Sequence, residues 1–262
     1  MKRLLAATAF ALVGLAAAAG ADQALGPQGY LLPGAFDVLA VLPPAPAPID
    51  ARGLADRAIF KATRAMKGSA RWDMATQDVK LSPSDLFADF SCAMGITLNP
   101  QNVPNTAALI RRASFDTARQ TGAAKVFYKR QRPYLIDEGP TCQPTAELAN
   151  SYDYPSGHTT AGWTMATLLA QVAPDRATGV LARGRAFGES RIVCGAHNAS
   201  AVDAGRLSAS STLAAMQDVP AFVADLAAAR QEVEALRRDT ATAKPDAGRC
   251  TREAALVAQR IY

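Results

Sequence analysis

The chain has 262 residues, with 28 lysines and arginines against 23 aspartates and glutamates, and a formal net charge of +5. Lys2 and Arg3 contribute two of these five charges, so a chain without its first residues would carry +3. The basic residues are scattered, and no basic run is interleaved with aromatic side chains. This composition argues against nucleic acid as the primary partner.

The first 21 residues have the pattern of a cleaved secretory signal. Met1-Lys2-Arg3 is positively charged, Leu4 to Ala19 is apolar but short for a membrane span, and small residues stand at Ala19-Gly20-Ala21. We therefore expect export, with Asp22 as the first mature residue. The alternative for this segment is an uncleaved N-terminal membrane anchor.

Residues 22–50 form a segment rich in proline and glycine, with Pro43, Pro44, Pro46 and Pro48 close together. Such a composition predicts an extended arm along the surface rather than a domain. No later boundary divides the chain, so residues 51–262 are predicted to form a single domain.

From residue 51 onward the apolar residues recur at helical spacing, and the alternating Val, Ile and Thr patterns of strands are scarce. The sequence therefore predicts an all-α, single-domain helical bundle. The predicted helices are Ala51 to Met66, Ser84 to Met94, Thr106 to Gln131, Thr145 to Ser151, Thr159 to Val172, Arg176 to Gly188, Ala199 to Met216, Pro220 to Arg238 and Thr251 to Gln259.

The longest apolar run after the signal is too short to cross a membrane. It extends over 13 residues, Ala161 to Ala173, and contains Thr164, Thr167 and Gln171. This length predicts a core helix, so the mature chain is not expected to enter a membrane.

Three short motifs carry the residues with the most chemical meaning. Lys125 is followed after six residues by Arg132-Pro133, and the chain's two histidines lie in Pro155-Ser156-Gly157-His158 and in Ser190-Arg191-x5-His197. Together they supply cationic phosphate ligands, a turn with backbone N–H groups, and two imidazoles. These groups suffice for phosphoryl transfer without a metal or another cofactor.

The order of these motifs resembles the three-part signature of the type 2 phosphatidic acid phosphatase superfamily, and within it the class A bacterial nonspecific acid phosphatases. Shorter similarities extend over nearly the whole mature chain, at Leu42-Pro43-Pro44, Thr141-Cys142, Ser151-Tyr152 and Cys194-Gly195. The resemblance implies a helical bundle of the type shared with vanadium haloperoxidases, a periplasmic location and a homodimer.

The resemblance also implies a role for each motif residue. His197 would be the nucleophile that forms a phosphohistidine, and His158 the general acid that protonates the leaving group. Lys125, Arg132 and Arg191 would neutralise the phosphate oxygens. The expected substrates are small phosphomonoesters, and inorganic phosphate is the expected product.

Elementary geometry favours the same pocket. Lys125 and Arg132 are seven residues apart, so in a continuous helix they would project from nearly one face, with Pro133 ending the helix. Ser156 and Gly157 precede a predicted helix and would cradle phosphate with the Ser156 hydroxyl and with backbone N–H groups. The neighbouring Lys129 and Arg130 are expected to be solvated.

One position departs from the family signature. The family has an aspartate four residues after the second histidine, where it orients the nucleophilic imidazole, and this chain has Ala201. Ser200, a backbone carbonyl, water or, less favourably, Asp203 would have to accept the imidazole N–H instead. Without an acceptor, turnover would fall on the order of 10²–10⁴.

Four cysteines in an exported chain favour two disulfides, for which three pairings are possible. Pairing of Cys142 with Cys194 is preferred because each adjoins a motif of the same pocket, which leaves Cys92 with Cys250. A structural zinc site that uses Cys194 and His197 is the rival interpretation.

Two other functions compete with an exported acid phosphatase. A vanadium-dependent haloperoxidase would hold vanadate in the same pocket. A phosphate-ester-binding pseudoenzyme would retain the pocket but would have lost turnover through Ala201.

Overall fold

A computed structural model describes residues 28–262, and the predicted signal segment lies outside the described residues. Within residues 28–262 the chain is helical and contains no β-strand, so the prediction of an all-α fold is confirmed. The α-helices are α1 (Ala51–Thr63), α2 (Ala70–Gln77), α3 (Pro83–Met94), α4 (Pro104–Tyr128), α5 (Gly157–Val172), α6 (Ala177–Val193), α7 (Ala199–Ala214), α8 (Pro220–Arg238) and α9 (Ala247–Val257).

Several helices begin where a side chain can accept an otherwise unpaired backbone N–H. Asp50 accepts from Gly53 N at 2.7 Å at the start of α1, and Ser156 accepts from Thr159 N at 3.3 Å at the start of α5. At the other end of α3, Gly95 adopts φ of +74°, a left-handed conformation that glycine adopts without strain. Local sequence thus determines these helix boundaries.

The structure corrects four of the predicted elements. Helix α2 (Ala70–Gln77) was missed, because its eight residues are too few for a clear apolar period. The predicted helix Thr145 to Ser151 is only a short 3₁₀ turn, Thr145–Leu148. Helix α4 ends at Tyr128 rather than Gln131, because Lys129 adopts the left-handed conformation. Helix α6 continues to Val193, five residues beyond the predicted end.

Helices α5 and α6 form the centre of the bundle, and they approach closely because glycines face the contact. A Cβ atom on Gly162 would lie 2.3 Å from the Phe187 ring, and one on Gly184 would lie 2.4 Å from Cβ of Ala166. Phe187 and Ala166 are themselves fully buried. This close packing fixes the position of the N-terminus of α5 relative to the C-terminus of α6. Signature residues lie at both of these helix ends.

Residues 28–50 run along the bundle in extended and turn conformation, with one 3₁₀ turn at Val38–Ala40. The segment is held by buried polar groups of α4. Asp116 accepts from Tyr30 N at 2.5 Å, and Gln120 accepts from Val38 N at 3.1 Å. Further along, Tyr154 donates its hydroxyl to the Pro43 carbonyl at 2.8 Å, so the segment reaches the signature region.

Two disulfides join the chain, Cys92 to Cys250 and Cys142 to Cys194, and these are the pairs favoured by the sequence analysis. The first ties α9 to α3. The second ties the end of α6 to the loop that precedes α5, and Cys142 N also donates to the Cys194 carbonyl at 3.0 Å. The zinc interpretation is therefore wrong, because Cys194 is not a free thiolate.

Among residues 28–262, none of the helices combines the length and the hydropathy that a membrane span requires.

We expect Gly162→Ala to lower the free energy of unfolding by about 1–3 kcal/mol, because the new methyl group would overlap the immobile Phe187 ring. The matched control is Gly122→Ala in α4, where a Cβ would meet no atom within 4 Å. There the better helix propensity of alanine should raise stability by up to about 1 kcal/mol. Denaturant unfolding measures both changes, and equal stabilisation by the two substitutions would contradict the packing described here.

Candidate active site

The signature residues come from five segments that meet at one end of the bundle. These are the last turn of α4, the loop after it, the N-terminus of α5, the last turn of α6, and the turn between α6 and α7. Arg132 Nη1 lies 3.0 Å from His197 Nε2. A Cβ on Gly157 would lie 3.8 Å from Cε of Lys125, so the α5 N-terminus faces the lysine.

His197 lies in the turn between α6 and α7 and is 2% exposed. Its Nδ1 is 3.0 Å from Asp153 Oδ1, and its Nε2 is 3.0 Å from Arg132 Nη1. Because guanidinium nitrogens only donate, Nε2 must be the acceptor and Nδ1 must carry the proton. The lone pair of the neutral ring is therefore on Nε2, where it accepts from Arg132.

Arg132 reaches the pocket by a different route from the predicted one. It lies outside α4 in an extended conformation, so the shared helical face with Lys125 is wrong. Its side chain is instead fixed by backbone carbonyls, with Nε donating to Ser151 O at 2.7 Å and Nη1 to Ala196 O at 2.8 Å. These bonds leave Nη2 without a partner among the described residues.

Lys125 occupies the last turn of α4, and its Nζ donates to the Tyr152 carbonyl. Burial, helped by the charges of Arg132 and Arg191 and opposed by Asp153, lowers the pKa of Lys125 to about 7. The lysine is thus held next to other cations without a carboxylate of its own.

Arg191 stands in the last turn of α6 and is completely buried. Its Nη2 donates to Gln143 Oε1 and its Nη1 approaches Cys194 Sγ at 3.9 Å, whereas its Nε has no partner in the described part of the chain. Burial, followed by the charge of Arg132, lowers the pKa of Arg191 to about 9. A buried cation with an orphan donor is expected where an anion will bind.

His158 begins α5 and lies 3.0 Å, through Nε2, from the carbonyl oxygen of Val79. A carbonyl only accepts, so Nε2 carries a proton and Nδ1 is the nitrogen left for a ligand. Burial lowers the pKa of His158 to about 3, and the charges of Arg191, Arg132 and Lys125 act in the same direction. In the empty pocket this imidazole is therefore neutral.

Ser156 is partly committed to other groups of the protein. Its N–H donates to the Ala201 carbonyl at 2.9 Å, and its hydroxyl oxygen caps α5 by accepting from Thr159, while its own O–H proton stays able to donate to a phosphate oxygen. The amides of Gly157 and His158 make no hydrogen bond within the described residues. They are the helix-terminal N–H groups available to a phosphate oxygen.

The acceptor of the imidazole N–H is a residue that the sequence analysis did not consider. Asp153 occupies this position, whereas Ser200 bonds to Asp56 and Arg130, and Asp203 pairs with Arg52 and Arg206. The missing carboxylate at Ala201 is therefore offset by a carboxylate from a separate segment. The only sequence signal for Asp153 is its position two residues before the second motif, which begins at Pro155.

The prediction that Arg130, beside the first motif, is solvated is also wrong. Its side chain is only 9% exposed and forms ion pairs with Asp56 at 2.8 Å and with Asp153 at 3.2 Å. The exposed Lys129 agrees with the prediction.

The chain is similar to one protein superfamily and to several acid phosphatases. Residues 107–222 match the PAP2 superfamily. An acid phosphatase of Zymomonas mobilis is 42% identical over 173 residues, which cover 65% of this chain and 66% of the relative. A non-specific acid phosphatase of Salmonella typhimurium is 36% identical over 71% of this chain and 76% of its own length. A non-specific acid phosphatase of Providencia stuartii is 34% identical over 85% of this chain and 94% of its own.

The matched region contains both histidines and the three cations of the pocket. The chain belongs to the PAP2 superfamily, among the relatives of the bacterial non-specific acid phosphatases. These matches confirm the family that the three sequence motifs indicated.

The lowered pKa of Lys125 predicts an alkaline limb in the pH dependence of phosphate binding. Because the free lysine loses its charge as pH rises through about 7, kcat/KM for a phosphomonoester should fall there, mainly through KM. Lys125→Arg keeps the charge, so its decline should begin at higher pH.

The matched control is Lys129→Arg, at an exposed lysine outside the pocket. It should leave the profile unchanged. If Lys125→Arg and the wild type lost kcat/KM over the same pH range, titration of Lys125 would not limit binding.

Proposed function

We propose that the protein hydrolyses small phosphomonoesters through a phosphohistidine on His197, as an acid phosphatase. The observation that carries this proposal is the group of three cations around His197 Nε2, of which Arg132 and Arg191 are buried and Lys125 is half-buried. Burial lowers the pKa of all three; in addition, Arg132 and Arg191 lower that of Lys125, and Arg132 lowers that of Arg191. A phosphate dianion supplies the missing negative charge.

In the first step, Nε2 of His197 attacks phosphorus and the bond from phosphorus to the ester oxygen breaks. Burial and the nearby cations hold the pKa of His197 well below its ordinary value, so the nucleophile is neutral. The leaving oxygen takes a proton from His158. Phosphate binding enables this transfer, because a neighbouring anion raises the pKa of His158 and favours its imidazolium form.

In the second step, a water molecule attacks the phosphorus of the phosphohistidine. Neutral His158 accepts one proton of this water, the bond from phosphorus to Nε2 breaks, and inorganic phosphate leaves. Lys125, Arg132 and Arg191, with the amides of Gly157 and His158, stabilise the charge on the phosphoryl oxygens in both steps. These groups carry out the tasks that a metal would otherwise perform, so we expect the reaction to need none.

We also propose that the protein is exported. The first 21 residues have the pattern of a secretory signal, and the two disulfides suit an oxidising compartment such as the periplasm.

The purified mature protein should hydrolyse p-nitrophenyl phosphate at mildly acidic pH, with chelator leaving the rate unchanged and vanadate inhibiting it. Loss of the rate on chelation and its recovery with a divalent ion would contradict the metal-independent mechanism. Phosphate binding without turnover would favour the pseudoenzyme, and peroxide-driven halide oxidation after vanadate loading would favour the haloperoxidase.

The two histidines are expected to give different phenotypes. His197→Ala should abolish the acid-quenched phosphoenzyme, because in the proposed mechanism Nε2 of His197 is the atom that carries the phosphoryl group. His158→Ala should still be phosphorylated by p-nitrophenyl phosphate, since p-nitrophenolate needs little protonation to leave. A phosphoenzyme trapped in His197→Ala would show that the nucleophile lies elsewhere.

A further inference from the structure

We propose that Asp153 is the positioning residue that orients the nucleophile His197, and that it replaces from a different segment the carboxylate missing at Ala201. The inference rests on the proposed function. Asp153 lies two residues before Pro155, where the second motif begins, and it contacts His197 across 44 residues of sequence.

The surroundings of Asp153 consist of hydrogen-bond donors. Its Oδ1 accepts from the backbone N of Asn198 at 3.1 Å and lies 3.0 Å from Nδ1 of His197, while its Oδ2 accepts from Asn198 Nδ2 at 2.9 Å. Arg130 Nη1 completes the set at 3.2 Å. Burial raises the pKa of Asp153, and Arg130 and Asn198 oppose that effect. Because every partner donates, the carboxylate is ionised.

An ionised acceptor at Nδ1 has two consequences for the ring. It keeps the proton on Nδ1, which leaves the lone pair on Nε2, and it holds that nitrogen toward Arg132. It also stabilises the positive charge that the imidazole develops as it attacks phosphorus.

A second carboxylate, that of Asp56, holds Asp153 in place through Arg130. Asp56 of α1 accepts from Ser200 N at 2.9 Å and from Arg130 Nη2 at 2.8 Å, so Arg130 is fixed between Asp56 and Asp153. This chain of ion pairs runs from α1 to the nucleophile. A carboxylate placed only to fill space in the core would not require it.

Position 201 has meanwhile become part of the apolar core. Ala201 is fully buried in a cluster with Val38, Leu42 and Tyr154, and its carbonyl accepts from Ser156 N at 2.9 Å. An aspartate there would add a second buried carboxylate near an already satisfied imidazole. The signature position and Asp153 are thus alternatives rather than partners.

The main test is Asp153→Asn, which preserves shape and removes the charge. We expect kcat for p-nitrophenyl phosphate to fall on the order of 10²–10⁴, with KM changed much less, because orientation acts on the transition state. The acidic limb of kcat/KM should also move to lower pH, since loss of a neighbouring carboxylate lowers the pKa of His197.

The matched control is Asp203→Asn, at the surface carboxylate that the sequence offered as a candidate. It should retain wild-type kcat and the wild-type pH profile. If folded Asp153→Asn kept both as well, the proposal would be overturned although the phosphatase function would stand. An inactive wild type would instead refute the proposed function.

Two further measurements test whether Asp153 orients His197 even if Asp153→Asn does not fold. Ala201→Asp should leave turnover unchanged or lower, and a several-fold increase would show that His197 had lacked an acceptor. In the unsubstituted protein, ¹⁵N spectra of the two histidines should place the neutral His197 proton on Nδ1. A proton on Nε2 would contradict the role of Asp153.

Discussion

The crowding of three cations at one end of the bundle is the constraint on which the site depends. Arg132 and Arg191 are buried and Lys125 is half-buried, and the pKa of each falls because the charged form loses hydration. Both imidazoles are held neutral in the same environment. Under the proposed function a phosphate dianion would relieve this imbalance, so phosphate binding and the activation of His158 would have one electrostatic cause.

The fold holds this arrangement with ion pairs and caps outside the pocket. Ser190 of the third motif donates to Asp78 at 2.5 Å and accepts from the buried Arg71 at 2.9 Å, so it anchors the last turn of α6. Arg64 covers the end of that helix by donating to the carbonyls of Ile192 and Val193 at 2.6 and 2.8 Å. The motif serine thus has a structural task, while the adjacent Arg191 keeps an Nε that is unpartnered within residues 28–262 and is a proposed phosphate ligand.

Local patterns were sufficient to predict the all-α fold, most helices and the residues that meet in the pocket. Contacts between distant segments could not be predicted in this way. The convergence of Lys125 and Arg132 depends on backbone carbonyls after α4 has ended, not on helical spacing. The acceptor for His197 was sought within a few residues of it, although Asp153 lies 44 residues away and reaches the ring only in the folded chain. Helix α2 was missed because its burial depends on tertiary packing.

Phosphate should restore the charge balance of the pocket, and an NMR titration of the two histidines with and without inorganic phosphate measures this effect. Without phosphate, burial and the cations set the pKa of His158 at about 3. With phosphate bound, we expect this pKa to rise by roughly two or more pH units. An unchanged pKa for His158, under conditions in which phosphate is bound, would contradict it.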